Sequence, residues 1–165
     1  TNTAEYTKCE LHLSKSNGLK IGHLNVRSIV EKIDEVRFLI CKTNLDILCI
    51  SETWLYEIIT DNIISIPEYT VIRRDRNSKH RGGGVCIYIR NAISFECCKN
   101  FCNDTLETVW IEISRIKSDK LIIGCVYRPP NADSCYLHNM YDTIEMVTSE
   151  GKELIVLGDM NYKNV

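Results

Sequence analysis

Ile29, Ile33, Val36 and Ile40 recur at i, i+4, i+7 and i+11, the spacing that lines one face of an α-helix. Short apolar runs flank this stripe, at residues 19–26 before it and 45–51 after it. The second run, Leu45-Asp46-Ile47-Leu48-Cys49-Ile50-Ser51, reads as an interior strand because its side chains are apolar on both faces. Strand, amphipathic helix and strand make a β-α-β unit, with parallel strands and a right-handed crossover. Ser28, with Glu31 three residues on, predicts a capping box at the helix start.

The middle of the chain changes character. Val85, Ile87 and Ile89 alternate with Cys86, Tyr88 and Arg90, and Val109, Ile111 and Ile113 alternate with Trp110 and Glu112. With a further strand at 121–127, these segments read as antiparallel. A helix fits 135–149, with Leu137, Met140, Tyr141, Ile144 and Val147 on one side, and 153–157 is the last strand. The fold class is α/β. No repeat, linker or low-complexity stretch divides the chain, and 165 residues suit one domain. We divide it into an N-terminal extension, 1–18, and a domain over 19–165. The chain opens on Thr1, so a longer parent protein is expected.

A composition of 44% hydrophobic and 25% charged residues is that of a soluble globular domain. No apolar run approaches the ~18 residues of a membrane span, and the first twenty residues hold no apolar signal core. Net charge is −2, so any basic surface is local. The one basic run spans Arg73, Arg74, Arg76, Lys79 and Arg81 around Asp75, and on charge alone it reads as a solvated loop. Nine cysteines are too few for a disulfide scaffold. Cys41, Cys49, Cys86 and Cys125 lie in apolar segments and read as small hydrophobes. Cys97, Cys98 and Cys102 lack a second ligand pair for zinc. The cysteines therefore indicate a reducing, intracellular compartment.

The functional signal lies at the strand ends. Four strands run into polar residues: Asn25, Glu52, Tyr127, and Gly158-Asp159-Met160-Asn161. In α/β sheets, ligands gather at that edge, and a carboxylate beside an amide there suits a hard cation such as magnesium. Singly, each residue has a plainer reading: Asn25 capping a turn, Glu52 in solvent, Tyr127 in the core, Gly158-Asp159 as a turn dipeptide, Asn161 in a tight turn.

Taken in order, the set carries more. His23-Leu24-Asn25-Val26-Arg27-Ser28, Asp46 to Thr53, Arg81-Gly82-Gly83-Gly84-Val85, Tyr127-Arg128-Pro129-Pro130-Asn131 and Gly158-Asp159-Met160-Asn161 together resemble the endonuclease/exonuclease/phosphatase superfamily. Within it the sequence looks most like the apurinic-type endonuclease domain of non-LTR (LINE-like) retrotransposons, over residues 19–162. The resemblance implies a four-layer α/β sandwich, two packed mixed β-sheets flanked by helices as in DNase I, incomplete at its C-terminus. It implies metal binding by Glu52 and Asn25. Tyr127 would hydrogen-bond the scissile phosphate, Asp159 would position or activate the attacking water, and Asn161 would hold Asp159 and the phosphate in place. It implies Mg2+, or Mn2+ in its place, in-line hydrolysis of a phosphodiester, DNA as substrate and a linked reverse transcriptase as partner. Action on DNA places the protein in the nucleus. Arg73, Arg74, Arg76 and Arg81 become candidate contacts to the DNA backbone. No feature points to a membrane or to self-association.

Two departures qualify this. The family's closing Ser-Asp-His segment does not occur by Val165, and none of His12, His23, His80 or His138 lies in such a motif. Loss of a general base costs ~10²–10⁴ in rate, so weak or no activity is expected of this chain. His23 shares strand parity with Asn25 and reads as structural. Asn131 stands one place later than the phosphate-contacting asparagine of Tyr-X-Pro-Asn relatives, so it is not assigned. A DNA-binding remnant and a phosphatase or lipid phosphodiesterase of the same superfamily remain as alternatives.

Overall fold

The computed structural model describes residues 18–76, 82–115 and 119–162. Eight strands form two four-stranded sheets. The first sheet contains β1 (Ile21–Asn25), β2 (Ile47–Ser51), β3 (Tyr69–Arg74) and β4 (Val85–Arg90), in the order β1-β2-β4-β3. The second contains β5 (Phe95–Cys97), β6 (Glu107–Ile113), β7 (Leu121–Tyr127) and β8 (Glu153–Asp159), in sequence order. Helix α1 (Ile33–Thr43) joins the parallel pair β1–β2, and α2 (Ser134–Ser149) joins the parallel pair β7–β8. The remaining pairings are antiparallel. Each sheet therefore carries one β-α-β unit, and the outer strands β1 and β8 lie against each other across the sandwich.

Three apolar clusters fill the layers. Ile47, Cys49, Ile87, Ile111 and Ile123 pack between the sheets. Ile33, Val36 and Ile40 pack α1 onto the outer face of the first sheet with Leu48 and Tyr88, and Ile29, expected on the helix, precedes it but is buried in the same cluster. Met140 and Val147 pack α2 onto Trp110 and Ile122 of the second. Each fully buried aliphatic contributes ~1.5–3 kcal/mol relative to exposure. The result is the four-layer arrangement of helix, sheet, sheet and helix. Among the described residues, no helix is long and apolar enough to cross a membrane.

Local expectations are corrected in several places. There is no capping box at Ser28. That residue has φ +86°, its N–H donates to the Glu52 carbonyl at 3.0 Å, and a 3-10 turn over Val30–Lys32 precedes α1. The basic run does not begin as a loop, because Arg73 and Arg74 end the edge strand β3. Polar side chains on both of its faces hide the alternation that marks a strand. Strand β5, only three residues long, gives no periodic signal either. Tyr141 and Cys41 are exposed rather than core. Each is one residue past a buried position, Met140 or Ile40, and so rotates off the packed face. Thr143 takes the buried place on α2.

Candidate active site

The two parallel pairs deliver Asn25, Glu52, Tyr127 and Asp159 to one edge of the sandwich. Asn25 ends β1 beside Ser51 of β2, and Glu52 follows immediately. Tyr127 and Asp159 are register partners at the ends of β7 and β8. Gly158 is glycine because a Cβ there would collide with the Val126 carbonyl on the neighbouring strand.

The centre is Asn25. Its Nδ2 donates to Glu52 Oε1 at 3.1 Å and to Asp159 Oδ2 at 2.7 Å. Both amide hydrogens are thus given to carboxylates from different sheets. Its Oδ1 is buried and has no hydrogen-bond partner. Trp54 Nε1 donates to the other Glu52 oxygen at 3.2 Å, and the Asn161 N–H donates to Asp159 Oδ1 at 3.1 Å. Two carboxylates are held close together with an unpaired amide oxygen. Burial raises the pKa of the Tyr127 phenol, the Glu52 charge raises it further, and the Arg76 guanidinium opposes both. Tyr127 is therefore a neutral hydroxyl donor at neutral pH. His23 Nε2 lies 3.0 Å from Ser51 Oγ; burial holds its pKa below the ordinary value while Asp159 pulls the other way.

The Asp159–Asn161 loop is clasped by Arg128. Its Nη1 donates to the carbonyls of Met160, at 3.1 Å, and Asn161, at 2.7 Å. Asn161 returns the contact through Nδ2 to the Arg128 carbonyl at 2.7 Å. Asn161 adopts φ +43°, a conformation asparagine tolerates. Glu52 at φ +56° and Trp54 at φ +54° are left-handed too, a local cost that concentrates at functional sites.

The candidate DNA-binding arginines among the described residues are ion-paired. Arg73 meets Asp61 at 3.0 Å and Asp75 at 3.1 Å, Arg74 meets Asp104 at 2.9 Å, and Arg76 meets Glu107 at 2.7 Å. Only Arg76 of these lies over Tyr127, 5.7 Å from the ring centroid. Arg81, like His12 and His80, lies outside the described residues. Trp54, Glu107 and the clasp by Arg128 were not legible beforehand. Trp54 stands two residues after Glu52 and Arg128 directly follows Tyr127, the one signal by which the sequence could have offered them. Glu107 carried none.

No group of three or more His, Cys, Asp or Glu side chains capable of holding a metal occurs among the described residues. The donor set at Asn25 fits a cation differently: a few hard oxygens from Glu52, Asp159 and the unpartnered Asn25 Oδ1. Such a set suits an ion that keeps most of its water, as magnesium does.

The similarities to known proteins agree with this geometry. The endonuclease domain of TRAS1, a telomere-specific non-LTR retrotransposon, superposes with a TM-score of 0.66 at 14% identity, over 89% of this chain and 61% of that one. The AP endonuclease LMAP of Leishmania major gives 0.69 at 15% identity, over 86% and 54%. The mannosyl-6-phosphatase Bt3783 of Bacteroides thetaiotaomicron gives 0.62 at 12% identity, over 89% and 67%. The chain thus spans between 54% and 67% of the length of these structures, and they share its fold. No match was found among curated protein sequences. The profile described as "Endonuclease/Exonuclease/phosphatase family" matches residues 14–164, nearly the whole chain, and the chain belongs to that family.

Proposed function

We propose that this domain binds a divalent cation, with magnesium as the natural ion, and serves phosphodiester hydrolysis as the DNA-nicking endonuclease domain of a retrotransposon polyprotein linked to a reverse transcriptase. Its place of action would be the nucleus, and residues 1–165 alone are expected to turn over slowly. The observation that carries the reading is Asn25. One amide bridges two carboxylates through nitrogen and leaves its oxygen buried and unpaired. An orphan of that kind is costly unless a ligand satisfies it.

Glu52 and Asn25 are the residues to hold the ion. When bound, it would neutralise charge on the phosphoryl oxygens and the departing 3′ oxygen. The protein's own groups do the rest. Tyr127, kept protonated by burial and by the Glu52 charge, donates to a phosphate oxygen as a preorganised dipole. Asp159, oriented by Asn25 and by the Asn161 N–H, accepts a proton from the attacking water. Arg128 and Asn161 keep that carboxylate from swinging away.

Cation binding is tested apart from turnover. Added Mn2+ should broaden the NMR signals of Asn25 and Asp159 selectively, and Glu52→Gln should weaken that effect at least tenfold. Uniform broadening, or none, removes the metal site. For the substrate, magnesium-dependent nicking of supercoiled plasmid should vanish in Glu52→Ala; nicking that survives points to contamination. Hydrolysis of an inositol phosphate without DNA nicking replaces the DNA reading with the phosphatase one.

A further inference from the structure

Glu107 opens β6 in the second sheet, yet its carboxylate is spent on the first. One oxygen accepts the Gly84 N–H, and the other accepts Arg76 Nε–H at 2.7 Å. Its own N–H donates to the Tyr136 phenol oxygen at 3.2 Å, and the Tyr136 hydroxyl donates to the Tyr127 carbonyl at 2.7 Å. One residue therefore ties the triple-glycine segment to the end of the strand that presents Tyr127. The bare glycines make this possible. A Cβ on Gly83 would collide with both the Arg76 guanidinium and the Glu107 carboxylate.

The three paired arginines are not equivalent. Arg73 pairs with Asp61 and Asp75, whose side chains are 61% and 20% exposed, and Arg74 with Asp104, 97% exposed, whereas Glu107 is 9% exposed. Exposed pairs exchange readily with solvent and are screened by salt. A buried, doubly bonded carboxylate fixes its partner. Arg76 is held where its guanidinium lies over the Tyr127 ring. A Cβ placed on Gly82 would stand 3.5 Å from Arg76 Nη1 and 3.8 Å from Trp54 Nε1, the donor to Glu52. Arg76 is thus one glycine away from the carboxylate centre. Its Nη2 is buried and without a hydrogen-bond partner.

We propose that Glu107 is a positioning residue that holds Arg76 against Tyr127, so that the guanidinium presents a preorganised donor to a backbone phosphate of bound DNA. The inference rests on the nuclease reading of the site. It separates Arg76 from Arg73 and Arg74: Arg76 lies over Tyr127, and the other two pair with carboxylates away from that ring.

The test is a double-mutant cycle on the 165-residue chain, with a fluorescein-labelled DNA duplex in magnesium-free buffer, read by anisotropy across a salt series. Arg76→Ala and Glu107→Gln are each expected to weaken binding about fivefold to tenfold and to flatten the salt slope by about one. The double variant should bind no worse than Arg76→Ala alone. Tighter binding by Glu107→Gln, as expected if the carboxylate merely competes with DNA for Arg76, overturns the inference, and so do independent, multiplying effects. If Glu107→Gln loses the fold, Arg76→Lys carries the test. It keeps the charge but not the fork, and wild-type affinity for it overturns the inference. Wild-type binding that no substitution alters sinks the inference and leaves the nuclease reading standing. No wild-type binding at all sinks that reading and the inference with it.

Discussion

The two ends of the first sheet are built from similar residues to opposite effect. At one end Asp46 accepts the Lys20 N–H at 2.9 Å and Arg90 Nε at 3.2 Å, and Arg90 Nη2 reaches Asn44 Oδ1 and the Leu45 carbonyl, both at 2.9 Å. Tyr69 donates to the same carbonyl, and Arg90 lies over its ring. None of these polar side-chain atoms is left orphaned. At the other end Asn25 Oδ1, Thr53 Oγ1, Asp75 Oδ1 and Arg76 Nη2 are all buried without a hydrogen-bond partner, as is Arg128 Nε after β7 of the second sheet. Left-handed non-glycine backbone is more frequent there too, at Arg27, Ser28, Glu52 and Trp54 with Asn161 of the second sheet beside them, against Asn44 and Glu68 at the first end. One end is satisfied by the protein itself. The other leaves buried polar atoms unpaired by the protein, the difference expected between a structural network and the binding site proposed above.

The contrast predicts stability effects of opposite sign. Arg90→Ala should break the satisfied network and cost about 2–4 kcal/mol, lowering Tm by roughly 5–10 °C without changing duplex binding. Thermal melts that show no loss would erase the distinction. Thr53→Val, at the site end, removes a fully buried hydroxyl that has no partner. It should hold or raise stability, by up to about 1 kcal/mol. A loss of several kcal/mol would mean that the hydroxyl is bonded after all.

The smallest effect concerns Glu112, on the outer face of the second sheet. Hydrogen bonds from Lys120, then from Lys152, hold its carboxyl below the ordinary value of 4.5. A depressed carboxylate stabilises the fold at pH above its unfolded value, and that contribution is lost as pH falls through the lower, folded value. Glu112→Gln should therefore lower Tm at neutral pH, less so in high salt because Lys120 is exposed and Lys152 partly so. The two proteins should converge below about pH 4.5. A difference that grows with acid would reverse the assignment.

Several parts of this molecule were legible beforehand for a simple reason. The stripe Ile29, Ile33, Val36, Ile40 and the strand over residues 121–127 are periodic patterns, and periodicity reports which face is buried. The order of the polar strand ends pointed to Asn25, Glu52, Tyr127 and Asp159, which the fold brings to one edge. The strand β3 was not legible, because its edge position lets Thr70, Arg73 and Arg74 replace the apolar alternation. Ser28 misled because capping is a local rule, and here the N–H is claimed by Glu52 across the sheet.

Sequence alone determined which segments are apolar on one face or two, and which strands stop at an oxygen-bearing side chain. Both follow from short-range order along the chain. Tertiary structure decided which polar groups find partners. Asn25 bridges Glu52 and Asp159, 134 residues from the latter. Glu107 holds an arginine from the opposite sheet, 31 residues away, and no local pattern encodes either pairing. Hydrogen bonds form over about 3 Å, and only the packing of two sheets sets separations that small between residues so distant in sequence.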